Sequence, residues 1–173
     1  ITIIVLGGSQ GAKIFGDIIP SVILELNKRK FKVHIIQQAM YEQIENLKKF
    51  YERNKIKNTI FNFNPNILKL IYKSDLAITR SGASTIAELE FLQVPFIAVP
   101  YPFAKDNHQF ENALYYKENG SCWLVEQKNF THENLSFLLL KILKNKNEIE
   151  SKRKKMFYNR RTNTLEIIKK EIL

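Results

Sequence analysis

Apolar residues change rhythm along this chain in a regular order, from continuous runs to helical spacing and back. Ile1 to Leu6 is nearly unbroken and rich in β-branched residues, the pattern of a strand buried on both faces, and Gly7-Gly8-Ser9-Gln10-Gly11-Ala12 follows it. Helical spacing then places Ile14, Ile18, Ile19, Val22, Ile23 and Leu26 on one side of a helix from about Ala12 toward Asn27, which Pro20 is expected to kink or divide. A strand, a glycine turn and a helix open a βα unit. The rhythm repeats with a second strand over Phe31 to Ile36 and a helix from Tyr41 to Tyr51 that turns Ile44 and Leu47 inward. A third strand runs from Asn58 to Phe63, and Asn64-Pro65-Asn66 opens a short helix ending near Lys73. Strand four covers Asp75 to Thr79, and strand five Phe96 to Val99, entered through Pro95 and left through Pro100 and Pro102. A helix from about His108 to Glu118 closes at Asn119-Gly120, and Ser121 to Val125 gives a sixth strand. Beyond Thr131 the chain reads as helical, with Leu135, Leu138, Leu139, Ile142 and Leu143 as one stripe, and a last amphipathic helix from Asn163 to Leu173. Strands alternating with helices at this spacing predict an α/β fold, a doubly wound parallel sheet, as one domain over residues 1–173.

The stretch from Asp75 to Asn112 carries the most chemistry. After Leu76 to Thr79, Ser81 and Gly82 break the apolar run, and Ala83, Ile86, Ala87, Leu89 and Leu92 return at helical spacing, with Glu88 one turn inside. A helix start that follows a strand and carries glycine and small hydroxyls presents free backbone N–H groups, a seat for a phosphate or diphosphate. A nucleotide ligand is the reading this favours.

Composition narrows the class. With 45% hydrophobic and 25% charged residues over 173 positions, the chain has enough apolar material for one folded core. Its longest apolar runs are strand-length, well short of the roughly 20 residues a membrane span needs. A lone cysteine, Cys122, makes no internal disulfide and, with no leader pattern ahead of the first strand, suits a reducing cytoplasm. Position 1 is Ile, already inside a strand, which points to a longer parent polypeptide or a lost start. The net charge of +10 invites a polyanion partner, but lysines are spread along the whole chain, and only Lys152 to Lys155 with Arg160 and Arg161 cluster. A solvated helix face is the favoured reading of that cluster. Nucleic acid is not an expected partner; contact of the basic tail with an anionic membrane surface stays open.

Three ordered motifs, GGSQGA after the first strand, SGASTIAELE after the fourth and VPYPFAKDNHQFEN after the fifth, resemble the carboxyl-terminal domain of the MurG family, glycosyltransferase family 28. The resemblance covers Ile1 to about Gln127 and weakens in the helical tail. It implies the carboxyl-terminal half of a GT-B enzyme, Rossmann-like, that binds UDP-N-acetylglucosamine for inverting transfer to lipid I in peptidoglycan synthesis. Ser9 and Gln10 then match positions that face the donor diphosphate and sugar, although a plain βα turn uses glycine equally well. Ser81, Gly82, Ala83, Ser84 and Thr85 match the turn and helix start under the diphosphate, where N–H groups and the helix dipole meet the charge growing on departing UDP. Ser84 and Thr85 read equally as helix caps. Glu88 matches the acid that holds the ribose hydroxyls, the alternative being a solvent-facing glutamate beside Glu90. Asn64 falls where the family recognises the uracil edge through backbone groups, and also where a helix begins. Asp106, His108 and Gln109 match a loop that reaches the sugar hydroxyls and diphosphate, His108 being a cap or surface residue otherwise.

The resemblance assigns no catalytic residue to this chain. The base that deprotonates the acceptor, the acceptor loop and an apolar membrane patch belong to an amino-terminal domain that is not seen here. Joined to that half, the protein is expected in the cytoplasm, peripheral to the inner face of the plasma membrane. No Cys/His/Asp cluster with ligand spacing is present, so neither metal nor other cofactor is expected. Two further readings stand beside this one: a non-catalytic remnant or soluble subunit of a split glycosyltransferase that needs a partner chain, and an epimerase of the same GT-B group.

Overall fold

The computed structural model describes residues 1–8, 12–145 and 147–158. Strands β1 (Thr2–Leu6), β2 (His34–Gln38), β3 (Lys57–Phe61), β4 (Leu76–Thr79), β5 (Phe96–Ala98) and β6 (Cys122–Leu124) alternate with helices α1 (Lys13–Lys28), α2 (Ile44–Arg53), α3 (Ile67–Tyr72), α4 (Ala83–Phe91), α5 (His108–Glu118) and α6 (His132–Lys144). Residues 147–158 form a further helix, α7. All strand pairs are parallel, and the sheet order is β3-β2-β1-β4-β5-β6. The chain winds outward from β1 to β3, returns to lay β4 beside β1, and winds outward the other way. Loops leaving β1 and β4 therefore diverge, and the crevice between them opens at the carboxyl ends of the strands.

Alternation along β1 shows why its apolar run is unbroken. Ile3 and Val5 enter a core with Phe15, Ile19 and Val22 of α1 and Leu135, Leu139 and Ile142 of α6, whereas Ile4 and Leu6 enter a second core with Ile86 and Leu89 of α4 and Ala113 of α5. Each face of the strand needs its own apolar set, so from Ile3 to Leu6 no position is polar. At the edge, β3 leaves Lys57 and Thr59 exposed, the charged and polar treatment that guards an open strand from unwanted pairing.

Several boundaries differ from the pattern in the sequence. The second strand is His34–Gln38 rather than Phe31 to Ile36, because Lys30 takes a left-handed turn (φ 68°) and Phe31 N–H closes it onto the Leu26 carbonyl. Its polar end is hidden in the core: Gln37 is fully buried and its Oε1 accepts from the Tyr51 hydroxyl at 2.8 Å. Apolarity thus under-read this strand. Asp75 stands just ahead of β4 and its Oδ2 accepts from the Thr2 N–H at 2.7 Å, tying the starts of the two central strands together. Pro20 does not divide α1, which runs unbroken with Pro20 buried on its inner side. On α4 only Ile86 and Leu89 are buried; Ala83 and Ala87, expected inward, are exposed, as small side chains with little to gain from burial can be.

The basic run near the carboxyl end is only partly a solvated face. Lys152 Nζ donates to the carbonyls of Gly120 (3.3 Å) and Cys122 (3.0 Å) and sits 4.4 Å from the centroid of the Trp123 ring, while Arg153 Nε donates to the Gln93 carbonyl. These contacts, with fully buried Met156 as a member of the second core, fasten α7 to it. Lys154 and Lys155 are exposed. Arg160, Arg161 and the expected helix from Asn163 to Leu173 lie outside the described residues.

Candidate functional site

A cleft of about 790 Å³ opens where the sheet order reverses, between the ends of β1 and β4. From β1 come Gly7 and Gly8, from α1 Lys13 and Asp17, from β4 and α4 Arg80, Gly82, Ser84 and Thr85, and from the far side Tyr101, Gln109 and Gln127. Gly8 has φ +80°, a left-handed conformation that side chains resist, and a Cβ added at Gly8 or Gly82 would meet nothing within 4 Å. Both turns therefore let the backbone stand open to a ligand. Ser9 and Gln10 of the glycine loop lie outside the described residues.

The start of α4 is left uncapped. Gly82 occupies the cap position without a side chain, no side-chain oxygen of a described residue accepts from the first turn, and the first backbone closure is from Ile86 N–H to the Gly82 carbonyl at 3.1 Å. The N–H groups of the first turn thus keep their donors and the positive end of the helix dipole. Ser84 and Thr85, readable from sequence as caps, instead line the cleft. Ser81 is fully buried, its hydroxyl without a partner among the described residues, and its carbonyl accepts from Asn112 Nδ2 at 3.1 Å, which ties α5 to this turn. Ala83 is exposed on the first turn of the helix.

Glu88 is half-buried and four residues beyond Ser84, hence on the same helix face one turn further along. Its neighbour Glu90 is already engaged, accepting from the Tyr116 hydroxyl at 2.9 Å, whereas no hydrogen bond or ion pair holds the Glu88 carboxylate among the described residues.

The loop before α5 brings one of its three expected residues into the cleft. Gln109 lines it, its Oε1 accepting from the Tyr101 N–H at 3.0 Å. Exposed His108 sets Nδ1 2.7 Å from the Lys105 carbonyl, and exposed Asp106 and Asn107 take left-handed backbone conformations at φ 50° and 55°. Asn64 stands past the end of β3 at the sheet edge, where its Oδ1 accepts from the Asn66 N–H at 2.8 Å and starts the turn into α3. Neither Asn64, Asp106 nor His108 lines the cleft.

Sequence reasoning passed over Arg80, Tyr101 and Gln127. Arg80 follows an apolar strand directly, a lone charge where the pattern calls for none, and that was a usable signal. The guanidinium is nearly buried, donates from Nη1 to the carbonyls of Val99 (3.0 Å) and Pro100 (3.1 Å) and from Nη2 to Gln127 Oε1, and lies 5.1 Å from the centroid of the Phe15 ring and 5.4 Å from that of Tyr101. Burial pulls its pKa below the ordinary arginine value. Gln127 sits in a short turn after β6 with no motif to mark it.

Comparison with known proteins gives this geometry a family. The profile of the glycosyltransferase family 28 C-terminal domain matches residues 2–170. The UDP-N-acetylglucosamine--N-acetylmuramyl-(pentapeptide) pyrophosphoryl-undecaprenol N-acetylglucosamine transferase of Pelagibacter ubique is 46% identical over 156 residues, covering 90% of this chain and 44% of the relative. Its namesake in Rickettsia canadensis is 38% identical over 151 residues, covering 86% and 43%. Among solved structures, Acinetobacter baumannii MurG superposes with a TM-score of 0.80 at 26% identity, covering 90% of this chain and 46% of that one. The chain spans less than half the length of these relatives. From the match along nearly its whole length, from the parallel sheet and from the cleft at its switch point, the chain belongs to the glycosyltransferase family 28 C-terminal domain family.

Proposed function

We propose that the cleft seats the donor UDP-N-acetylglucosamine and that the chain is the donor-binding domain of an inverting N-acetylglucosaminyltransferase converting lipid I to lipid II. One observation carries the reading: two glycine turns with open space beside them and an uncapped helix start converge at the switch point of the sheet, with Arg80 in the wall. The diphosphate lies against the first turn of α4, and the sugar reaches toward Gln109. In the transfer step the acceptor C4 hydroxyl oxygen bonds the anomeric carbon from the face opposite the diphosphate, the bond to UDP breaks with its electron pair leaving on the phosphate, and the hydroxyl proton passes to a base outside this chain. Donors already aimed at the diphosphate stabilise the charge that grows there without reorganising. Lipid I, its base and the membrane contact belong to a second domain supplied by the parent polypeptide or by another chain. Among the described residues no helix is long and apolar enough to cross a membrane, and the inner face of the plasma membrane is the proposed place of action.

Gly82→Val tests the seat. Its backbone (φ −67°, ψ 141°) accepts any residue and an added Cβ meets nothing within 4 Å, so the melting temperature is expected to hold. The valine methyls fill the diphosphate position, and calorimetry is expected to show UDP-N-acetylglucosamine affinity down by at least about tenfold. Saturable binding by the wild-type chain supports the reading; a folded wild type that gives no heat with UDP-N-acetylglucosamine or UDP refutes it.

A further inference from the structure

Buried arginines normally meet a carboxylate, because taking a charge from water is costly unless an opposite charge or a full set of hydrogen bonds replaces the solvent. Arg80 meets none: no carboxylate of a described residue lies within ion-pair distance of it. Its surroundings are instead two backbone carbonyls, the amide oxygen of Gln127 and the faces of Phe15 and Tyr101. Each of these groups stabilises a cation by its dipole or ring quadrupole, and none of them cancels the charge. The positive field of the guanidinium is therefore left over, and the cleft whose wall it forms is the place where that field meets solvent.

We infer that Arg80, the buried cation of a cleft that exposed Lys13 and Asp17 also line, supplies the uncancelled charge that makes it prefer a diphosphate over the bare nucleoside, and that Gln127 is an amide because a carboxylate there would silence it. The inference rests on the donor-site reading and deepens it. The same contacts make Arg80 a positioning residue, since its fork joins the exits of β4 and β5 to the turn after β6, the three segments that shape the far wall. A purely architectural clamp would favour a carboxylate at position 127, which would bind the guanidinium more strongly and offset its desolvation. The neutral partner is what sets a field-supplying role apart from a structural one.

The test compares UDP with uridine, which shares the base and ribose but lacks the phosphates, by NMR titration of wild type, Arg80→Gln, Arg80→Lys and Gln127→Glu. Arg80→Gln is expected to lower UDP affinity about tenfold and to leave uridine nearly unchanged, the size of one unit charge acting through a partly screened interior. Arg80→Lys keeps the charge and is expected to keep most of the preference for UDP. Gln127→Glu does not depend on the neutral variant folding: it is expected to raise the melting temperature by pairing with Arg80 while lowering the UDP-to-uridine affinity ratio. An unchanged ratio in folded Arg80→Gln, equal ratios in the Gln and Lys variants, or a Gln127→Glu protein that retains the wild-type ratio overturns the inference. A wild type that binds neither UDP nor UDP-N-acetylglucosamine instead overturns the donor-site reading beneath it.

Discussion

Glu88→Ala is expected to weaken UDP binding about a hundredfold without unfolding the domain, the cost of losing two charge-assisted hydrogen bonds to neighbouring ribose hydroxyls at about 1.5–3 kcal/mol each, partly recovered by water. Geometry selects Glu88 over its neighbour. Tyr116 already occupies Glu90, whereas the Glu88 carboxylate is unengaged among the described residues and shares a helix face with Ser84 in the cleft. Four residues of helix advance about 6 Å, the reach from a diphosphate at the helix start to the ribose beyond it. Glu88→Gln keeps one acceptor and is expected to fall between wild type and alanine. Calorimetry with UDP measures all three, and an unchanged affinity in Glu88→Ala would remove the ribose assignment.

Phe15→Ala is expected to have the largest effect on stability, about 3–5 kcal/mol, because it deletes a fully buried ring and leaves a cavity in the core. The ring packs 5.3 Å from Phe130, centroid to centroid, and so joins α1 to the turn before α6. It also lies beneath the Arg80 guanidinium. Against a typical total of roughly 5–15 kcal/mol this loss takes a large share of the fold. Urea denaturation reads it directly. A midpoint shift equivalent to less than about 1 kcal/mol would mean that Phe15 is not the keystone of this core.

Where hydrophobic rhythm and turn chemistry agreed, the sequence was legible to within a residue. The helix His108–Glu118 with Asn119-Gly120 behind it, and the aliphatic central strand, needed no further information. Reading failed where tertiary partners overrule local character. Gln37 lies in a strand because Tyr51 from another element supplies its hydrogen bond, and Lys152 leaves solvent because Trp123 and two carbonyls receive it. The candidate site divides in the same way. Glycine turns and the hydroxyl-bearing helix start announce themselves by composition, so Gly82, Ser84 and Thr85 were legible as candidates, and Gln109 through its motif; all four line the cleft. The contact of Asn112 with the Ser81 carbonyl and the turn of His108 toward Lys105 depend on how α5 and the loop before it are placed. Arg80 and Gln127, 47 residues apart in sequence, meet only through the order of strands in the sheet.

Crystals of the chain soaked with UDP-N-acetylglucosamine test the central claim most directly. The account predicts diphosphate density within hydrogen-bond distance of the first-turn N–H groups of α4, between Gly8 and Gly82, with the ribose on Glu88. Density for the nucleotide at the opposite end of the sheet, for instance in the hollow beside Ile1, Phe31 and Asp75, would contradict it.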